Sequence, residues 1–137
     1  MSRTRSMQTE IFTIADAATV SSGKLNMLGS FDHLGAPSFP AQHSACVVIC
    51  KLRMDHQDSG LHDLKLRIID PDGTDVVPPA SSNIDVTIDI DCSGHHTHLW
   101  HIRGFPLPKP GIFYIDAIVD GSLLARTPLF VKQKTQP

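Results

Sequence analysis

The sequence predicts an all-β fold, an antiparallel β-sandwich of about seven to nine strands of the immunoglobulin-like type. Side-chain polarity alternates with a period of two in several segments, which is the mark of half-buried strands. Ten prolines and nine glycines punctuate short apolar runs, and no segment keeps an i, i+3, i+4, i+7 apolar stripe for three helical turns. With 137 residues, 41% of them apolar, a chain buries roughly two thirds of its unfolded surface. One sandwich domain over residues 8–132 therefore needs no disulfide or metal to fold, and residues 1–7 and 133–137 read as frayed tails.

Glu10 to Ala15 and Lys24 to Phe31 open the series as strands. In the next, Cys46, Val48, Cys50, Leu52 and Met54 share one face while Lys51 and Arg53 lie on the other. Leu64, Leu66 and Ile68 oppose Lys65 and Arg67 in the same way. Ile84, Val86, Ile88 and Ile90 interleave with Asp85, Thr87, Asp89 and Asp91, giving a strand with one apolar and one acidic face. His96 to Arg103, Ile112 to Val119 and Leu123 to Val131 complete eight strands. Asp70-Pro71-Asp72-Gly73 is a turn, Asp120-Gly121 is a two-residue hairpin signal, and the segments Gly35 to Ala41 and Val77 to Asn83 read as loops. No segment between the strands reads as a crossover helix, so the sheets are antiparallel.

Charge and composition exclude several classes of function. Twelve basic against fourteen acidic side chains, with no cationic run, leave no electrostatic footprint for a phosphate backbone, so nucleic acid is not the expected partner. The longest unbroken apolar stretch, Ala45 to Cys50, is six residues, too short to cross a bilayer. The first ten residues carry charge without an apolar segment behind them, and a cytoplasmic protein is expected. Cys46 and Cys50, four residues apart on one strand, have Cα atoms roughly 13 Å apart, whereas a disulfide needs less than about 7 Å. An odd count of three cysteines favours reduced thiols acting as small core side chains.

The closing block Pro110-Gly111-Ile112-Phe113-Tyr114, Val119-Asp120-Gly121 and Pro128-Leu129-Phe130-Val131 looks like the last hairpin of many immunoglobulin-like domains. Phe113 stands in the usual tyrosine slot, and parity turns Tyr114 outward, so the hydroxyl latch of a tyrosine corner is lost. Together with Ala15-Asp16-Ala17-Ala18-Thr19-Val20, Gly23-Lys24-Leu25 and Leu28-Gly29, this block resembles a family of small bacterial β-sandwich proteins catalogued as a domain of unknown function. The resemblance implies the fold and a bacterial cytoplasmic setting, and brings with it no reaction, cofactor or catalytic residue.

The sharpest chemical feature is the histidine cluster His95, His96, His98 and His101, half of the eight histidines within seven residues. On a strand His96 and His98 share a face about 7 Å apart, the spacing at which a His-x-His pair chelates a transition metal such as zinc or nickel. A third ligand would have to come from elsewhere in the chain, such as His62, Asp63 or Cys92. The competing role, which the sequence favours, is a polar strand start with Trp100 and Ile102 in the core; no cofactor is expected. Asp70, Asp72 and Asp75 echo a calcium loop but lack its later ligands, and read as a self-solvated turn. Lys51, Arg53, Lys65 and Arg67 form a basic ladder if their two strands pair, and Asp85, Asp89 and Asp91 are the acids that would neutralise it, within the sheet or across a symmetric dimer. Val47 and Ile49, beside Lys51, read as an apolar spot on an outer face suited to a partner.

The common nucleophile-elbow, phosphate-loop, dinucleotide and zinc-protease motifs are absent. The expectation is a non-enzymatic module that works through protein contacts or homo-oligomerisation. The alternative is a metal- or small-ligand-binding protein using His95 to His101.

Overall fold

The computed structural model describes residues 7–134, and among them nine strands form two packed sheets. These are β1 (Gln8–Ser21), β2 (Lys24–Phe31), β3 (His33–Ala36), β4 (Ala41–Asp55), β5 (Gly60–Ile69), β6 (Ala80–Val86), β7 (Ser93–Leu107), β8 (Gly111–Val119) and β9 (Ser122–Gln133). The first sheet has the order β2-β1-β4-β7 and the second β3-β9-β8-β5-β6. A three-residue 3-10 turn, His56–Asp58, carries the chain from one sheet to the other. The neighbours β9-β8-β5 and β4-β7 are those of an immunoglobulin-like sandwich, closed on one side by the parallel pairing of β3 with β9.

Alternation places the core where the sequence puts it. Cys46, Val48, Cys50, Leu52 and Met54 face Leu64, Leu66, Ile68, Phe113, Ile115, Ala117, Val119, Leu129 and Val131, all buried in one cluster. Trp100 belongs to the same cluster, and farther along β7 Gly104 takes a φ of +66°, after which Phe105 and Leu107 turn inward. A side chain at 104 would meet Gln42, whose amide donates to the Gly104 carbonyl at 3.2 Å. Tyr114 faces outward, as parity requires, with the Arg126 guanidinium 4.9 Å above its ring.

The hairpin at Asp120-Gly121 has both central φ angles positive, 51° and 82°, the type I′ geometry that fits the strand twist. Ser22-Gly23 does the same, at 52° and 71°, joining β1 to β2.

Several boundaries differ from the sequence reading, each for a physical reason. Residues 80–83 were expected in a loop, yet Ser81, Ser82 and Asn83 pair with Lys65, Leu64 and Asp63, because an available edge outweighs weak strand propensity. At the other end β6 stops at Val86, short of the expected Ile90. The Ile88 amide donates to Ser59 Oγ at 3.0 Å and its carbonyl accepts from His56 Nδ1 at 2.7 Å, so side chains take the bonds that a strand would have used. β3 lies partly in the expected loop at Gly35, and its four residues are too few for periodicity to reveal. Met7 is buried in the core and Gln133 still belongs to β9, so the sandwich reaches into both expected tails; residues 1–6 and 135–137 lie outside the described residues.

Candidate functional site

The N-terminal hairpin leaves its sheet. β1 pairs with β4 from Gln8 to Ala15, and beyond that point only with β2. Opposite Asp16, Gly29 adopts a φ of +73°, and a Cβ there would collide with the Asp16 carboxylate, so this position requires glycine. The hairpin then folds across the outer face of the first sheet. His95 Nε2 on β7, two strands beyond β1, donates to the Gly23 carbonyl at its tip over 3.4 Å. Beneath this flap, Ala15, Ala18, Val47 and Ile49 form a second buried cluster with Ile11, Leu25 and Leu99 packed against it.

This arrangement corrects the expected docking spot. Val47 and Ile49 do point to the outer face, but they are 4% and 0% exposed because the chain covers them itself. On the flap itself apolar surface remains open, with Val20, Met27 and Leu28 45%, 40% and 73% exposed. The missed signal was the Ser22-Gly23 dipeptide, a turn marker that extends β1 past Ala15.

The basic ladder does not form. Lys51 and Arg53 lie on β4 and Lys65 and Arg67 on β5, in different sheets. Glu10 instead accepts from Arg53 Nε and Nη2 at 3.2 and 3.1 Å, with Lys51 Nζ at 3.5 Å. Arg67 pairs with Asp75 at 2.8 Å. Asp85 stands opposite Leu61 on β5, Asp89 and Asp91 lie beyond the end of β6, and the ion pairs of Lys51, Arg53 and Arg67 go to Glu10 and Asp75 instead. On the outer face of the second sheet Arg67, Asp116 and Arg126 are in register across three strands. Asp116 is buried there and holds Arg126 in a bidentate pair at 2.7 and 2.9 Å.

His96 and His98 share the inner face of β7, as predicted. Their ring centroids are 5.7 Å apart, and the His98 ring lies 4.5 Å from Trp100. Burial, followed by the neighbouring His95 and His96 respectively, lowers both pKa values. Among the described residues, no group of three His, Cys, Asp or Glu side chains is placed to hold a metal ion. His62 is committed elsewhere, with Nδ1 on Asp120 at 2.7 Å and Nε2 on the Asp58 carbonyl at 2.5 Å. Burial opposes its charge, but the bonds to Asp120 and Asp58 prevail and raise its pKa. Asp63 lies next to His62 on β5 and its amide donates to Asp120, while Cys92 is exposed, which separates it from the core role expected of the cysteines. Cys46 and Cys50 do fill that role, and burial pushes their thiols up to about 11 and about 12.

The calcium-like turn is occupied by its own contacts. Asp70 Oδ1 accepts from the amides of Asp72 and Thr74, each at 2.9 Å, and Asp72 pairs with Lys109.

The histidines give opposite pH dependences. His96 and His98, with lowered pKa values, stabilise the fold fully above the unfolded value of about 6.5 and lose that contribution as pH falls toward their folded values. His62, raised, contributes fully below about 6.5 and loses it as pH climbs through its folded value. Urea denaturation at about pH 5 and about pH 8 should show the acid loss shrinking in the His96→Leu/His98→Leu variant and growing in His62→Gln. Equal pH slopes in all three proteins would contradict this assignment.

Fold and surface together define an immunoglobulin-like β-sandwich protein without a recognised catalytic motif. Residues 10–132 match the model of a family of unknown function, DUF6941, and the chain belongs to that family. No curated protein matches it. Among solved structures it is similar to a β-glucosidase from Listeria innocua, with a TM-score of 0.52 and 9% identity, over 95% of this chain and 16% of that one. An immunoglobulin-like protein from Pseudomonas aeruginosa aligns with a TM-score of 0.38 and 13% identity, over 91% of this chain and 95% of that one. The chain spans a small fraction of the glucosidase, and at such identity the likeness is one of fold. Among the described residues no helix is long and apolar enough to cross a membrane.

Proposed function

We propose that this protein is a non-enzymatic module of the bacterial cytoplasm that works through protein contact at the free edge of β2, with a second copy of the chain as the partner. The observation that supports this reading is how unprotected that edge is. From Leu25 to Phe31 it carries no charge and no proline, and Leu28 stands 73% exposed. The other three sheet edges carry the usual deterrents to strand addition. β6 follows Pro78-Pro79 and includes Asp85, β7 includes Arg103 and Pro106, and β3 is four residues long and runs into Pro37.

The segment Leu25 to Phe31, uncharged although Lys24 opens the strand and Gly29 bends it at a φ of +73°, is compatible with its own antiparallel copy, which makes a two-fold β2–β2 contact self-complementary. Light scattering across the micromolar range should show mass rising toward twice the monomer, and Leu28→Lys should hold the protein monomeric without lowering its melting temperature. A strict monomer that Leu28→Lys leaves unchanged would end the proposal.

The paired rings of His96 and His98 support a second reading, a weak transition-metal site completed from outside the chain, since His96 Nε2 is buried without a partner. Elemental analysis of tag-free protein and melting with added zinc distinguish the two. Absence of bound metal and of any thermal shift would remove this second reading and leave the first intact.

A further inference from the structure

The flap does not close completely over the sheet. Between its tip and β7 a groove of about 510 Å³ remains, lined by Ile11, Leu25 and Met27 on the apolar side and by Lys24, Lys51, His95 and Thr97 on the polar side. Three of these side chains are basic, none is acidic, and the whole chain carries a formal charge of −2. The groove is thus a local reversal of the molecule's sign.

Its cations are incompletely neutralised. Glu10 is engaged by Arg53 through both carboxylate oxygens, and Lys51 reaches only one of them at the longer distance of 3.5 Å. Lys24 sits on the exposed side of the hairpin turn. The apolar residues are incompletely covered as well. Met27 faces the sheet side of the flap, in register with buried Ala18, yet it is 40% exposed. A methionine left open over a lined groove is an adaptable wall for an alkyl chain.

We propose that this groove binds a small amphiphilic anion: an unbranched apolar chain lying along Ile11, Leu25 and Met27, with a carboxylate head between Lys24 and Lys51. Because His95 ties the flap tip to β7 through the Gly23 carbonyl, the same ligand would hold the flap against the sheet. The alkyl chain would use Leu25 and Met27 on the inner side of the flap, with only Lys24 reaching in from the exposed side, whereas the proposed self-contact uses the backbone edge and Leu28, so the two stand or fall separately.

The test is a titration of the full chain with octanoate, followed by amide ¹H–¹⁵N shifts, with octylammonium and octanol as parallel probes. Octanoate should move the amides of Leu25, Met27, His95 and Thr97 and saturate in the millimolar range. Octylammonium should leave them in place, and octanol, which carries no charge for Lys24 and Lys51, should bind about tenfold more weakly, the factor expected when two exposed ionic contacts are lost. Lys24→Gln/Lys51→Gln should weaken octanoate by a similar factor while spectral dispersion reports an intact fold. Lys24→Gln alone, at an exposed position, gives a second reading of the charge requirement should the double variant unfold. Shifts absent from these amides, shifts scattered over the surface, or equal binding of octanol and octanoate would overturn the proposal.

Discussion

Replacing Phe113 by alanine is expected to destabilise the protein by about 3–5 kcal/mol, the range for truncating a buried aromatic ring. Phe113 is 0% exposed at the start of β8, with its ring centroid 6.5 Å from that of Phe105 across the sandwich. Phe105 comes from the far end of β7, after Gly104 has turned the strand over. The two rings therefore join the sheets at one end of the core, and the surrounding strands are too extensively hydrogen-bonded to collapse into the space left behind. Folded domains carry about 5–15 kcal/mol of net stability, so this single change removes a large share. Urea denaturation at neutral pH measures it. A loss below about 1 kcal/mol would mean that the end of the core repacks freely. Phe113→Tyr asks a different question, because parity places this ring where other immunoglobulin-like domains seat a latching tyrosine; without a partner for the hydroxyl, the substitution should be destabilising too.

Ile49→Ala gives the second large effect and tests the flap. If the outer face of β4 were open, truncating Ile49 would change stability by no more than about 0.5 kcal/mol, as for most surface positions. With Ile49 fully covered by Ala15, Ala18 and Leu25, the expected loss is about 2–4 kcal/mol. Hydrogen exchange adds a local reading. Loosening of the flap should raise exchange at Ala18 and Leu25 in the variant more than at Ile115 in the main core. A near-neutral result with unchanged exchange would show the flap to be open in solution.

Alternation made the main core legible. Each strand that buries one face against the other sheet repeats its inward apolar side chains every second residue, as Cys46 to Met54 of β4, Leu64 to Ile68 of β5 and Phe113 to Val119 of β8 do, although β4 also buries Val47 and Ile49 on its other face. Turn chemistry was legible for a related reason: Asp120-Gly121 must take two positive φ angles, and few residue pairs do so at low cost. The family resemblance agreed with both.

The candidate sites were less legible. A strand's outer face looks the same in sequence whether solvent or another part of the chain covers it, so Val47 and Ile49 read as a docking surface. The cationic residues look like one ladder because both strands have basic outer faces, but which strands become neighbours depends on sheet order, and that order puts β4 and β5 in separate layers. His62 and His96 are likewise both histidines in strands, yet one is held by a carboxylate and a carbonyl and the other is half-buried beside His95 and His98, so their proton affinities move in opposite directions.

By itself, then, the amino-acid order determined the two-layer fold, the inward-facing residues, the core placement of Cys46 and Cys50 and the outward turn of Tyr114, because each follows from the local geometry of an extended chain. Tertiary structure alone decided the fold-back of β1 and β2, the partners of each charge, the enclosure of Ile49 and the groove beneath the flap. These are contacts between segments far apart in the chain, and their energies depend on distances and burial that no local pattern encodes.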